Sequence, residues 1–334
     1  MSAPRVSVLV PCFNHGEFIR ETVDSVRAQT LKDFEIVVVD DGSTDPQTRQ
    51  TLKELAEEGV TLLTTENRGL PAARNHAARH AAGEFFCALD ADDKLAPQWF
   101  DKAARVLDGR PEIAFVSHWL ETFGDERWTW RPERCDLPAL LARNAVNGAA
   151  LVRRSAFEAV GGYDESMREG CEDWDFWLRL VERGFAGVVI PEVLFYYRRR
   201  SDSMSRVMLE EQRYRRPLDV LVRKHEKSYR EHLISVLVAK ESEVEHLSQE
   251  IADLERGELV DLEPALQRAR EELEAVSRKA ARVRAARGIE EDRERLAAKT
   301  AELEREIRDL RASWSWRIMA PLRKVYARLT GVDG

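Results

Sequence analysis

Residues 34–41 read FEIVVVDD, and residues 84–93 read EFFCALDADD. Each is an apolar run that stops abruptly in carboxylates. A run of Ile, Val and Phe without polar alternation suits a strand covered on both faces, as in parallel sheets sandwiched by helices. Working outward, SVLVPCF (7–13) reads as the preceding strand, with a helix through Ile19 and Val26 after it. A helix through Leu52 and Leu55 follows the second strand. VTLLTTEN (60–67) leads to a helix over 71–82, EFFCALDADD to a helix over 97–107, and IAFVS (113–117) closes the series. Strand and helix alternate, which predicts an α/β fold with a mainly parallel, nucleotide-binding type of sheet flanked by helices. Ligands of such sheets bind beyond the carboxyl ends of the strands.

Those ends carry Asp40 and Asp41, then Asp90, Asp92 and Asp93. Carboxylates converging on one sheet edge repel one another unless a cation sits among them. Mg²⁺ or Mn²⁺ is the economical answer, because it takes one or two carboxylates and completes its shell with substrate phosphates. The pattern predicts a metal-bound diphosphate. Turn formation and helix capping by Asp and Ser is the competing explanation for either segment alone. No GxxxxGK[ST] loop and no strand-following GxGxxG is present, so a glycine-loop kinase or a dinucleotide dehydrogenase loses its main support. No GxSxG elbow supports a serine hydrolase. His76 and His80, spaced i and i+4, have no evident third ligand and read as helix surface.

The 334 residues are 43% hydrophobic and 34% charged, with a net charge of −8. That composition supports a sizeable core and argues against general nucleic-acid binding. No apolar run is long enough to span a membrane, and the N-terminus lacks a signal-peptide layout. Cys12, Cys87, Cys135 and Cys171 are far apart with no CxxC pair, as in reduced thiols of the cytoplasm.

The ordered series VSVLVPCFNHGEFI, VVVDDGSTD, ENRGLPAARNHA, FFCALDADD, GGYDE, CEDWDFWLRL and YYRRRSDSMS resembles the family 2 glycosyltransferases of the A-type fold, over roughly residues 4 to 225. The resemblance implies an inverting enzyme that moves a sugar from a nucleotide-diphosphate sugar to a hydroxyl, with Mn²⁺ or Mg²⁺. Carried over residue by residue, it places Pro11 and Phe13 on the nucleobase side, and Asp40 or Asp41 at the base or ribose. It sets Arg68 and Arg74 near the nucleotide, Asp90 near the ribose and Asp92 on the metal. Asp173 is implied as general base, and Gly148 as part of an acceptor-side loop; residues 198–205 would close over the diphosphate. Around Asp173, Glu172 and Asp175 are expected to raise its proton affinity by repulsion, and Trp174 and Trp177 to stack on a sugar face. Phe13 stands where the family more often has Tyr, and Arg198-Arg199-Arg200 where some relatives have a metal-reaching His.

After Arg230 the composition changes. No Phe, Trp or Tyr occurs before Ser313, and Leu237, Val244, Leu247, Ile251 and Leu254 step by threes and fours. This predicts an α-helical coiled-coil extension that serves as a spacer or makes a homo-oligomer. The last segment holds Trp314, Trp316, Arg317, Arg323 and Lys324, a basic and aromatic mixture suited to an anionic membrane surface or to packing on protein. The expected organisation is a catalytic domain at 1–228, a helical extension at 229–311 and a tail at 312–334. The enzyme is expected in the cytoplasm or at the inner face of the membrane, acting on a glycan or lipid-linked acceptor. The alternative is a degenerate transferase domain serving as a coiled-coil scaffold.

Overall fold

A computed structural model describes residues 3–200 and 215–255, together with Glu271. The chain divides into two compact units, residues 1–239 and 240–334. The N-terminal half follows the alternation: β1 (Val6–Cys12), α1 (Ile19–Arg27), β2 (Phe34–Asp40), α2 (Pro46–Glu57), β3 (Thr61–Thr64), α3 (Leu70–His80) and β4 (Phe85–Ala88). β1 lies between β2 and β4, β3 flanks β2, and all three pairings are parallel. Their apolar runs are buried on both faces. Leu9, Val37, Val39 and Phe86 belong to one core cluster, whereas Val8, Val10, Val38 and Phe85 belong to the other. This is why the strands carry no polar alternation.

The second half is β5 (Lys94–Leu95), α4 (Trp99–Gly109), β6 (Ile113–Gly124), β7 (Thr129–Trp130), α5 (Leu137–Ala142), β8 (Leu151–Arg153), α6 (Arg154–Ala159), α7 (Glu172–Glu182) and β9 (Ala186–Arg199). Among the described residues one sheet runs β3-β2-β1-β4-β8-β6-β9-β5, with β7 joined to β6 off that path. β8 is antiparallel to both neighbours and β5 is antiparallel to β9, so the parallel half is the predicted one and the sheet as a whole is mixed. β6 also runs past the predicted IAFVS. Its outer half is held by long-range register, Leu120 opposite Phe195 and Gly124 opposite Arg199, which local periodicity does not encode.

Three helices follow: α8 (Arg215–Lys224), α9 (Glu226–Glu231) and α10 (Leu233–Glu255). Among the described residues no helix is long and apolar enough to cross a membrane. The expected coiled-coil seam beyond residue 255, the tail at 312–334, and residues 201–205 of the expected closing segment lie outside the described residues.

Candidate active site

The two carboxylates ending β2 have separate tasks. Asp40 accepts a hydrogen bond from the Ser43 N–H at 2.8 Å. Asp41 accepts from the N–H groups of Arg68 (2.9 Å) and Gly69 (2.8 Å) and from the Thr65 hydroxyl (3.1 Å), so it pins the loop after β3. Gly42, directly after Asp41, has φ +77°, and a Cβ there would meet the Asn67 nitrogen at 2.7 Å; only glycine fits that approach. Asp45 caps α2 through the Thr48 N–H at 2.8 Å. Part of the DDGSTD segment is therefore turn and cap chemistry, as the competing explanation held.

Pro11 is buried in β1, and Phe13 just beyond it is 41% exposed. Burial pushes the neighbouring Cys12 thiol up to about 12, and the charges of Asp40 and Asp92 add to the push. Asp40, opposite Cys12 in the sheet, and Asp92 thus both act electrostatically on one residue at the end of β1. Asp92 is held above the ordinary range by burial and by repulsion from Asp90, while His15 and Arg200 oppose the shift. Arg200 approaches it at 3.6 Å. Asp93 is buried and accepts the Arg198 N–H at 2.8 Å, which anchors the end of β9 to this segment.

Arg74 is the hub. Its guanidinium is 3% exposed and donates to Asp90 and to Glu172, each at 2.7 Å. Burial works against its charge, but Asp90, Glu172 and Asp173 raise its pKa well above the usual value. A Cβ on Gly148 would lie 3.7 Å from this guanidinium, so the expected acceptor loop borders the hub. Cys171, immediately before α7, has φ +62°. A non-glycine residue in that region is strained, and here it precedes Glu172 and Asp173.

Asp173 accepts from the Trp174 N–H at 2.7 Å and from the Asn144 side-chain amide at 3.0 Å. Burial raises its pKa against the pull of Arg74 and of these two donors. Burial likewise pushes Glu172 up to about 7, with Asp173 adding repulsion. The sheet edge and the helix are one neighbourhood, running from Asp40 through Asp92, Asp90 and Arg74 to Asp173.

The structure corrects several expected roles. Arg74, expected near the nucleotide, is a buried brace whose guanidinium is paired with Asp90 and Glu172. The Arg68 side chain is exposed and pairs with Glu165, while its backbone holds Asp41. Trp174 is 1% exposed and donates its indole N–H to the Leu140 carbonyl at 2.6 Å, and Trp177 is fully buried. Neither ring offers a face to a sugar. Asp175 points away from Asp173 and binds Arg179, Lys224 and His225. Arg198 donates to the Asp92 carbonyl and to Glu21 and lies against Phe18 and Phe123, so its side chain is committed. Asn144 and His225 carry no local signal in the sequence, and GGYDE gives none for the partners of Tyr163. The contacts of these three span 29, 50 and 88 positions, and only folding brings them together.

The model of Glycosyl transferase family 2 matches residues 7–161, and that of Glycosyltransferase like family 2 matches residues 133–251. The Bacillus subtilis protein EpsE, named as a glycosyltransferase, is 29% identical over 214 residues, covering 61% of this chain and 77% of EpsE. Staphylococcus aureus TarS, solved with UDP-GlcNAc, superposes with a TM-score of 0.54 at 21% identity over 65% of each chain. The mannosyltransferase PcManGT of Pyrobaculum calidifontis, solved with GDP-Man and Mn²⁺, gives 0.58 at 20% identity, over 100% of this chain and 89% of that one. Fold and relatives together define an enzyme that transfers sugars. The chain belongs to the family 2 glycosyltransferases.

Proposed function

We propose that the chain is an inverting glycosyltransferase that uses a nucleotide-diphosphate sugar, a divalent cation and Asp173 as general base. Its acceptor is a hydroxyl of a glycan or lipid-linked saccharide, in the synthesis of cell-surface polysaccharide. The observation that carries this reading is the Arg74 hub, which puts Asp90, from the acidic strand end, and Glu172–Asp173 around one guanidinium.

Asp92 suits Mn²⁺ or Mg²⁺. Its side chain is 15% exposed, and repulsion from Asp90 favours a positive neighbour. Among the described residues no group of three His, Cys, Asp or Glu could enclose an ion. The protein would therefore supply Asp92, with Asp90 nearby, and the diphosphate and water would supply the remaining ligands. Such a cation, when bound, offsets the charge that gathers on the departing diphosphate.

The protein's own part is positioning and proton transfer. Phe13 offers an exposed ring to the base, and Asp40 lies at the adjoining strand end. The acceptor oxygen attacks the anomeric carbon from the face opposite the diphosphate, and its proton passes to Asp173. The Asn144 amide and the Trp174 N–H fix the orientation of that carboxylate. A positioned base of this kind contributes about 10²–10⁴ in rate. We further propose, from sequence, that the segment 229–311 joins copies of the chain and that the tail at 312–334 meets a membrane surface.

The test is a thermal-shift screen of UDP- and GDP-sugars with Mn²⁺, followed by NMR of the product anomer. Binding only to the native state stabilises it by about 2.7 kcal/mol at a hundredfold excess over Kd. No shift with any donor would favour the scaffold alternative, and a retained anomeric configuration would remove Asp173 as base.

A further inference from the structure

The face of α7 opposite Asp173 holds a second buried charge cluster that the transfer chemistry does not use. Asp175 is fully buried. Arg179 reaches it at 2.7 Å, Lys224 at 2.7 Å and the His225 Nε2 at 3.0 Å. The other ring nitrogen, Nδ1, lies 2.9 Å from Glu182, which is about two helical turns further along α7. His225 is 3% exposed. Ser228 donates to the other Glu182 oxygen, and Lys224 also reaches Asp164. Arg179 in turn donates to the carbonyls of Val160 and Gly162, both at 2.7 Å.

A neutral imidazole has one N–H and one lone pair. With carboxylate oxygens at both nitrogens, a neutral ring would leave a lone pair against an anion. The geometry therefore requires both nitrogens to carry hydrogen. Among the described residues three carboxylates (Asp164, Asp175, Glu182) then face three cations (Arg179, Lys224, His225), and the charge of the cluster balances.

We infer that Lys224 and His225, at the junction of α8 and α9, are positioning residues for the transfer reaction: by gripping Asp175 and Glu182 they set the place of α7 and hence of Asp173. This rests on Asp173 being the base. Asp173 and Asp175 are separated by a single residue in the first turn of α7, so a shift of that turn displaces both. The helices after the sheet thereby become part of the catalytic unit. The donor side, built on β1, β2 and β4, stands apart from the grip.

Protonation gives the grip a pH dependence of known sign. Burial lowers the His225 pKa, but its hydrogen bonds to Asp175 and Glu182 outweigh that and raise it above the usual 6.5. A raised folded-state value contributes stability that is complete below the ordinary value and lost as pH climbs through the raised one. Among the described residues, Asp164, Asp175, Glu182, Arg179, Lys224 and the Tyr229 hydroxyl are the ionisable groups around it, and burial pushes Tyr229 far above this window.

The experiment compares the full-length wild type with His225→Gln, Lys224→Met and, as reference, Asp173→Asn. Nucleotide binding with Mn²⁺, kcat, acceptor KM and hydrogen exchange of residues 171–178 are measured against pH. The expected result for His225→Gln is unchanged nucleotide affinity and stoichiometry, faster exchange at 171–178, and kcat lower by about 10- to 100-fold, the order that a misplacement near 1 Å brings. The alkaline fall in wild-type kcat should be absent from this variant. Lys224→Met, whose side chain is partly exposed, should give the same pattern more weakly and serves if His225→Gln does not fold. A kcat within twofold of wild type, or a kcat that falls only in proportion to nucleotide-binding sites, overturns the inference. An active Asp173→Asn would instead overturn the assignment of the base.

Discussion

Helix α7 separates two buried charge clusters of opposite balance. Toward the sheet edge, Asp90 and Glu172 share the single guanidinium of Arg74, with Asp173 beside them. Burial holds Glu172 and Asp173 above their ordinary pKa values. On the far side, Asp175 meets Arg179, Lys224 and His225, and despite the opposing effect of burial its pKa is lowered. Glu172, Asp173 and Asp175 lie within one helical turn, yet among the described residues the first two share one cation with Asp90 and the third is matched. A matched cluster holds structure. A deficit is stable only if the fold forces it, and it leaves the site ready to take a proton, a cation or a positively polarised substrate.

The comparison breaks most readily at Asp173. If the deficit side does the chemistry, Asp173→Asn should cut kcat by about 10²–10⁴ while nucleotide affinity stays near wild type. The acid limb of wild-type kcat against pH should lie above the 3.8 of an ordinary aspartate, because burial raises this carboxyl and only its ionised form accepts the proton. Single-turnover transfer against pH, beside nucleotide titration of the variant, checks both. An unaltered rate would place the base elsewhere.

Arg74 comes next. Arg74→Met removes a guanidinium that contacts both Asp90 and Glu172 and leaves those carboxylates without it. Breaking a buried pair in this way costs about 3–5 kcal/mol. Denaturant unfolding should show that loss, and it should shrink at acid pH, where Glu172 takes up a proton. Arg74→Lys should be intermediate, since an ammonium group cannot span the same fork.

A smaller effect is expected at Asp92. Asp92→Asn should keep the fold, because it removes repulsion with Asp90 and no hydrogen-bond donor of the sheet. It should abolish the gain in nucleotide affinity that Mn²⁺ gives the wild type. Calorimetric titration with and without Mn²⁺ reads this directly. Equal Mn²⁺ dependence in wild type and variant would take Asp92 out of the cation site.

How much of this was legible in sequence follows from where each signal lives. The unbroken run Ile36–Val39 and the carboxylates after it lie in consecutive residues, so the parallel half and its acidic edge could be read directly. The pairing of β6 with β9 could not, because register across some 75 positions depends on packing. The order of motifs pointed to Asp90, Asp92 and Asp173, but residue type alone misjudged their neighbours. The resemblance sets Arg74 near the nucleotide, but that it is a buried brace between Asp90 and Glu172 depends on contacts 16 and 98 positions away. Asp175 looked like a repelling neighbour of Asp173, although two residues along a helix turn a side chain through about 200°. His225 carried no local signal.

Trp174 shows the same lesson with the smallest expected effect. A tryptophan next to a catalytic acid suggests a platform for sugar, yet this ring lies in the core with its N–H on the Leu140 carbonyl. Trp174→Phe keeps the backbone N–H that holds Asp173 and most of the packing, and it loses one hydrogen bond. The expected cost is about 0.5–1.5 kcal/mol for that bond, with some further loss from the smaller ring. Acceptor KM should stay within twofold of wild type, because no sugar touches the ring. A thermal melt and acceptor titration on the same preparation distinguish the alternatives. A large rise in KM at unchanged stability would return Trp174 to the acceptor surface, and would mean that α7 shifts outward when the acceptor binds.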